Sequence, residues 1–159
     1  MTKHRTIISE IGNTPLIKLK KISELTGCDI YGKAEFLNPG QSIKDRTALK
    51  IIEEAELRKD LTKGGLIVEG TAGNTGIGLS IVANAKGYKT KIIIPNTQSE
   101  EKKSTLRSYG AELIEVPAVP FSDDKNYQHV ARRIAEEETK KTNNGVLFAD
   151  QWNNLDNIK

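Results

Sequence analysis

Lys44 is the residue in this chain best placed for covalent chemistry. It lies in Asn38-Pro-Gly-Gln-Ser-Ile-Lys-Asp-Arg46, where a helical pattern of Ile43, Ala48, Ile51, Ile52 and Ala55 begins. Unpaired N–H groups and the macrodipole disfavour a positive charge on the first turn of a helix. An amine must lose its proton to attack a carbonyl, so this position suits a Schiff-base lysine. The plainer alternative is a surface lysine beside Asp45 and Arg46. Ser42, with Asp45 three residues on, is predicted to be the N-cap in a short-acid version of the capping box.

A second segment, Glu69-Gly-Thr-Ala-Gly-Asn-Thr-Gly-Ile-Gly78, leaves a buried-strand pattern and runs into a helix. Thr71, Ala72, Gly73, Asn74 and Thr75 bring small side chains, hydroxyls and backbone N–H groups to that helix N-terminus, which suits capture of a carboxylate or phosphate. No Gly-Lys-[Ser/Thr] follows, so it is not a Walker A loop. Gly73, Gly76 and Gly78 fall in the wrong order for the dinucleotide fingerprint. A tight strand-to-helix turn is the alternative. A third segment, Asp150-Gln-Trp-Asn-Asn154, also follows a strand, and ligands of open parallel sheets lie beyond the carboxyl ends of strands. The two loops are therefore expected to share one rim, although the Asn-rich run by itself equally suits a turn. Cys28 reads as a structural thiol, and His4 and His129 have no metal-ligand spacing, so no metal site is expected.

The elements that must position these segments alternate regularly. Strands are predicted at Leu66–Gly70, Thr90–Ile94, Glu112–Val116 and Val146–Ala149. Helices are predicted at Thr75–Lys86, Ser99–Tyr109 and 123–141, the last with a core stripe of Tyr127, Val130, Ala131 and Ile134. Strand starts 22 to 34 residues apart fit βα units and a parallel sheet with helices on both faces. The charge-rich stretch 132–141 reads as a solvated helix face.

Composition narrows the function classes. The 159 residues carry 24 Lys and Arg against 21 Asp and Glu, a net charge of +3 with the signs interleaved. That bias gives no basic patch for nucleic acid or an anionic membrane. One cysteine excludes an internal disulfide framework. No 18-residue apolar run and no signal-like start are found, which points to a soluble, cytoplasmic protein.

Taken in order, Ile11-Gly-Asn-Thr-Pro-Leu16, Asn38–Arg46 and Thr71–Gly78 resemble the cysteine synthase (O-acetylserine sulfhydrylase) family, within the pyridoxal-phosphate β-family that includes cystathionine β-synthase. The likeness extends through Pro95–Lys102 and Gln151–Asn154. It implies an α/β, three-layer open parallel sheet of the tryptophan synthase β-like fold. It makes Lys44 the lysine that bonds covalently to pyridoxal 5'-phosphate and Asn74 the partner of the cofactor's phenolic oxygen. Thr71, Ala72, Gly73 and Thr75 would hold the amino-acid carboxylate, joined by Gln151. The commoner family spelling has serine at the place of Ala72, so one hydroxyl donor is missing here. The implied reaction replaces the acetate of O-acetylserine by sulfide to give L-cysteine.

The resemblance also implies boundaries. Residues 1–46 would be the N-terminal piece of a larger cofactor domain, 47–149 a smaller α/β domain with a four-stranded parallel sheet, and 150–159 the start of a return to the larger one. Family subunits continue further, so the fold is expected to be incomplete, the chain truncated and its cofactor binding weak or absent. Apolar surface at 7–37 is expected to be exposed and to drive association, whereas a complete enzyme would be a homodimer. The alternatives are cystathionine β-synthase or another β-family lyase, and a non-catalytic remnant or interaction module.

Overall fold

The computed structural model describes residues 5–158, so His4 lies outside the described residues. An N-terminal part comprises α1 (Ile7–Glu10), β1 (Leu16–Lys18), α2 (Lys20–Thr26) and β2 (Tyr31–Lys33), followed by a 3-10 turn at Glu35–Leu37. β1 and β2 form a separate antiparallel pair. The main body runs α3 (Lys44–Arg58), β3 (Leu66–Gly70), α4 (Asn74–Lys86), β4 (Lys89–Pro95), α5 (Glu100–Ser108), β5 (Glu112–Val116), α6 (Tyr127–Thr139) and β6 (Val146–Phe148). A second 3-10 turn, Leu155–Ile158, follows.

The main sheet is four-stranded and parallel, in the order β5-β4-β3-β6. Strand alternation sorts its residues into two layers. Ile67, Ile92, Ile94 and Leu147 pack beneath α3, α4 and α5, whereas Val68, Ile93 and Ile114 pack beneath α6. The first two crossovers step from β3 to β4 to β5 with their helices on one face. The third returns past β3 to the other edge, and a right-handed crossover in that direction requires α6 on the opposite face. The order therefore reverses beside β3, and its carboxyl end and that of β6 frame the crevice.

Local chemistry moves two predicted boundaries. The last helix begins at Tyr127 because Asp123–Asn126 forms turns: Asn126 N–H bonds Asp123 O at 2.9 Å, and the Asn126 side chain caps Gln128 N–H at 3.0 Å. Ser42 is not the N-cap of α3. That position is Ile43, which has no side-chain cap, and Ser42 Oγ accepts instead from the Lys44 N–H at 3.2 Å. Asp45 does not complete a capping box either, because its buried carboxylate reaches back to the Gly40 N–H.

The N-terminal part leaves much of its apolar surface uncovered. Leu16, Ile17, Ile22, Leu25, Phe36 and Leu37 are all exposed, as expected for 7–37.

Candidate active site

Lys44, Thr71, Ala72, Gly73, Asn74, Thr75 and Gln151 line one hollow of about 250 Å³. Each reaches it from a different fold constraint. The 71–75 loop leaves the carboxyl end of β3, and Thr71 N–H still bonds Ile93 O at 3.0 Å, so its start is anchored to the sheet. Thr71 Oγ1 then accepts from Gly73 N–H at 3.2 Å, folding the loop into the first turn of α4. Gln151 comes from the neighbouring strand end, where its Oε1 accepts a 2.5 Å hydrogen bond from Thr75 Oγ1. That leaves the Nε2 donors of Gln151 for an anion.

Lys44 is brought to the loop by close helix packing. A Cβ added at Gly78 would lie 3.0 Å from Lys44 O and 3.2 Å from Asp45 Cα, so α3 begins directly against α4 where a side chain would force the backbones apart by a few tenths of an ångström. Gly76 has a similar task towards the sheet, where a Cβ would lie 2.8 Å from Thr71 Cγ2. The glycines that break the nucleotide-binding spacing are thus packing glycines.

Two networks hold the Asn38–Arg46 segment. Arg46 grips Glu35 bidentately, with both bonds at 2.9 Å, and donates to Gly12 O at 2.8 Å. Thr14 and Asn38 also donate to Glu35, and Asn38 Oδ1 accepts from Gly12 N–H at 2.9 Å. The Ile11–Leu16 motif is therefore a clasp for the Lys44 loop. Arg46 holds the Glu35 carboxyl down at about 2, helped by Thr14 and Asn38 against the opposing effect of burial. The second network is Asp45 on Gly40, with the Asp45 pKa raised by burial.

The Asn-rich run after β6 does make a turn. Asp150, at φ 41°, accepts at its carbonyl from Asn153 and Asn154 N–H groups, and Asn154 Nδ2 donates to Ala149 O at 3.0 Å. Gln151 and Trp152 are the members that face the hollow.

Sequence reasoning missed three contributors. Lys102 and Tyr127 also line the hollow, and Lys102 approaches Gly73 from α5. With Lys44 and Lys102 on its wall and no carboxylate among the described residues that line it, the hollow favours an anion. The third is Glu69, 1% exposed at the end of β3, its pKa raised to about 8 by burial and by the charge of Asp150. A charged residue within an apolar strand run was the available signal. Being largely protonated at neutral pH, Glu69 does not cancel the two lysines.

A larger hollow of about 630 Å³ sits at the amino ends of the strands, among Lys89, Lys91, Glu112 and Glu138. Of its two lysines, Lys91 is paired with Glu112 and Glu138. Among the described residues, no group of three or more His, Cys, Asp or Glu could hold a metal, and no helix is long and apolar enough to cross a membrane.

Comparison with known proteins agrees with the geometry. A family model described as "Pyridoxal-phosphate dependent enzyme" matches residues 7–159. Cysteine synthase 1 of Neurospora crassa is 55% identical over 147 residues, which is 92% of this chain and 38% of that protein. Cystathionine beta-synthase of mouse (Mus musculus) is 41% identical over 154 residues, covering 95% of this chain and 27% of that one. A crystal structure of O-ureido-L-serine synthase superposes with a TM-score of 0.83 at 35% identity, over 96% of this chain and 45% of that one. The chain thus spans about two fifths of the length of the Neurospora protein.

Proposed function

The chain belongs to the pyridoxal-phosphate-dependent enzyme family, and on that premise we propose that it carries the catalytic lysine and the carboxylate grip of a cysteine synthase. The supporting observation is one hollow that holds Lys44 opposite the 71–75 loop and Gln151. Pyridoxal phosphate requires an amine for its aldehyde, a donor for its phenolic oxygen and a cradle for its phosphate. Lys44 and Asn74 fit the first two needs. The phosphate cradle and the partner of the pyridine nitrogen would come from the part of the relatives that this chain does not span.

The residues present divide the work. The backbone N–H groups of Ala72, Asn74 and Thr75, in the loop that Thr71 and Gly73 fold, and the Gln151 Nε2 donors would hold the carboxylate of O-acetylserine. Held at that end, the substrate presents its Cα–H bond in one orientation, which lowers the entropic cost of reaction. Lys44 Nζ would serve as the base that takes the Cα proton and later returns it. The bound cofactor supplies an electron sink for the pair left on Cα. Loss of acetate, addition of sulfide at the β-carbon and return of the proton to Cα from Lys44 Nζ would give L-cysteine. Ala72 contributes its backbone N–H in place of a hydroxyl. A cytoplasmic location and a homodimeric complete enzyme belong to the same proposal, as does the division into an N-terminal piece of a cofactor domain (1–46), a smaller domain (47–149) and a return segment (150–159).

Borohydride reduction in the presence of pyridoxal phosphate, followed by peptide mass spectrometry, tests the central residue. Label should concentrate on Lys44 and vanish in Lys44→Ala; label spread evenly over the surface lysines would defeat the reading. The likeness to mouse cystathionine beta-synthase supports a second reading. With the rest of the family fold supplied, products from sulfide against homocysteine separate the two.

A further inference from the structure

Lys102 is unused in the chemistry above, yet it lines the hollow that Lys44, the 71–75 loop and Gln151 share. It stands in the first turn of α5, where the N-cap Ser99 accepts from the Lys102 N–H at 3.4 Å. A cation in that turn opposes the helix dipole, so the helix gains nothing from its charge. The adjacent Lys103 shows what a structural lysine looks like here. It is buried and bonds Asn96 O at 2.9 Å, Glu100 Oε1 at 2.8 Å and Glu115 Oε2 at 2.8 Å. Lys102 is half-buried, and among the described residues its ammonium donates to the neutral Gln98 Oε1, at 3.3 Å, with no ion pair. The side chain passes over Gly73, where an added Cβ would lie 3.4 Å from Lys102 Nζ and 3.5 Å from its Cδ and Cε.

The donors around the loop, the N–H groups of Ala72, Asn74 and Thr75 and the Gln151 amide, are all neutral, and Ala72 brings no hydroxyl. Lys44 must be uncharged to act as a base. Lys102 is then the cation left on the wall. We infer that Lys102 is a specificity-determining residue: its ammonium pairs with the α-carboxylate of the substrate above Gly73, so that the hollow takes amino acids and discriminates against their uncharged carboxamides. This deepens the carboxylate grip proposed above and rests on it. A second hollow of about 300 Å³, between Pro39–Gln41 and α5, shares Lys102 and Asn74 with the first, and gives the flexible lysine stem room to turn from Gln98 to the carboxylate. Glu101 also borders that second hollow but is exposed, so solvent screens its charge.

Lys102→Met and Lys102→Arg in this chain provide the test. Methionine keeps most of the stem without the charge, and arginine restores a cation. L-serine and its carboxamide, L-serinamide, are titrated while the amide NMR shifts of Gly73 and Asn74 are followed. Lys102→Met should bind L-serine about tenfold more weakly than the parent and L-serinamide within about twofold of it. Lys102→Arg should bring L-serine back to within about threefold of the parent. Unchanged L-serine affinity in Lys102→Met, an equal loss for both ligands, or no recovery with arginine would overturn the inference. The carboxylate reading survives such a result if L-serine still moves the Gly73 and Asn74 amides of the parent and Gln151→Ala weakens that binding. Amides unmoved by L-serine in the parent would sink the carboxylate reading, and the role of Lys102 with it.

Discussion

Two glutamates near Lys44 illustrate how environment sets the behaviour of one side-chain type. Glu35, gripped by Arg46, is held at about 2, whereas Glu69, desolvated beside Asp150, is raised to about 8, from the same ordinary 4.5. Their effects on stability have opposite signs. Between pH 4.5 and about 8 the folded chain keeps a proton on Glu69 that the unfolded chain has released, so stability falls as pH rises through that window. Glu35 contributes its stability above pH 4.5 and loses it as pH falls towards about 2. Urea unfolding from pH 3 to 8 should therefore show loss at both ends. Glu69→Gln should flatten the alkaline limb and Glu35→Gln the acid limb. An unchanged alkaline slope in Glu69→Gln would show that Glu69 titrates normally.

Helix α4 joins the two halves of the candidate site, because the loop proposed to hold the substrate carboxylate is its N-terminus and α3 begins with Lys44 against its side. Gly78 permits that seating. Gly78→Ala should push α3 away from α4, lowering stability by about 1–3 kcal/mol and slowing borohydride labelling of Lys44. Gly87 supplies the control at the other end of the helix, with φ 80° and open space around it. Alanine at Gly87 should cost stability by strain while Lys44 labels as before. Equal labelling loss in both variants would assign the effect to general destabilisation.

For the molecule as a whole, the main sheet is covered on both faces while the N-terminal part is not. Leu16, Ile17 and Leu25 remain exposed, and apolar patches of that kind promote association. Sedimentation velocity over a concentration series should show this chain self-associating, and lysine at Leu16 and Leu25 together should reduce it. A single monomeric species at every concentration would count against that expectation. The main body carries its own core and should melt cooperatively in both forms.

The parallel-strand pattern, the helices between the strands and the loop residues 71–75 could be read from the sequence, because they depend on local spacing, whereas Lys102 and Tyr127 reach the hollow from other elements. Alternation at two residues and recurrence at three or four mark a strand or a helix wherever the chain folds, and the small polar run at 71–75 announces a loop with free N–H groups. Which strand lies beside which is set by pairings between residues 80 apart, such as Ile67 with Leu147, and no local period records them. Only the tertiary structure therefore placed β6 against β3, formed the crevice between their ends and brought Gln151 onto Thr75. The same holds for Glu69, whose charged neighbour Asp150 lies on another strand end, and for Asp45, whose buried carboxylate turned back to Gly40 rather than to the cap that spacing suggested. Side chains choose among partners by what surrounds them in space, and that choice is made after the chain has packed.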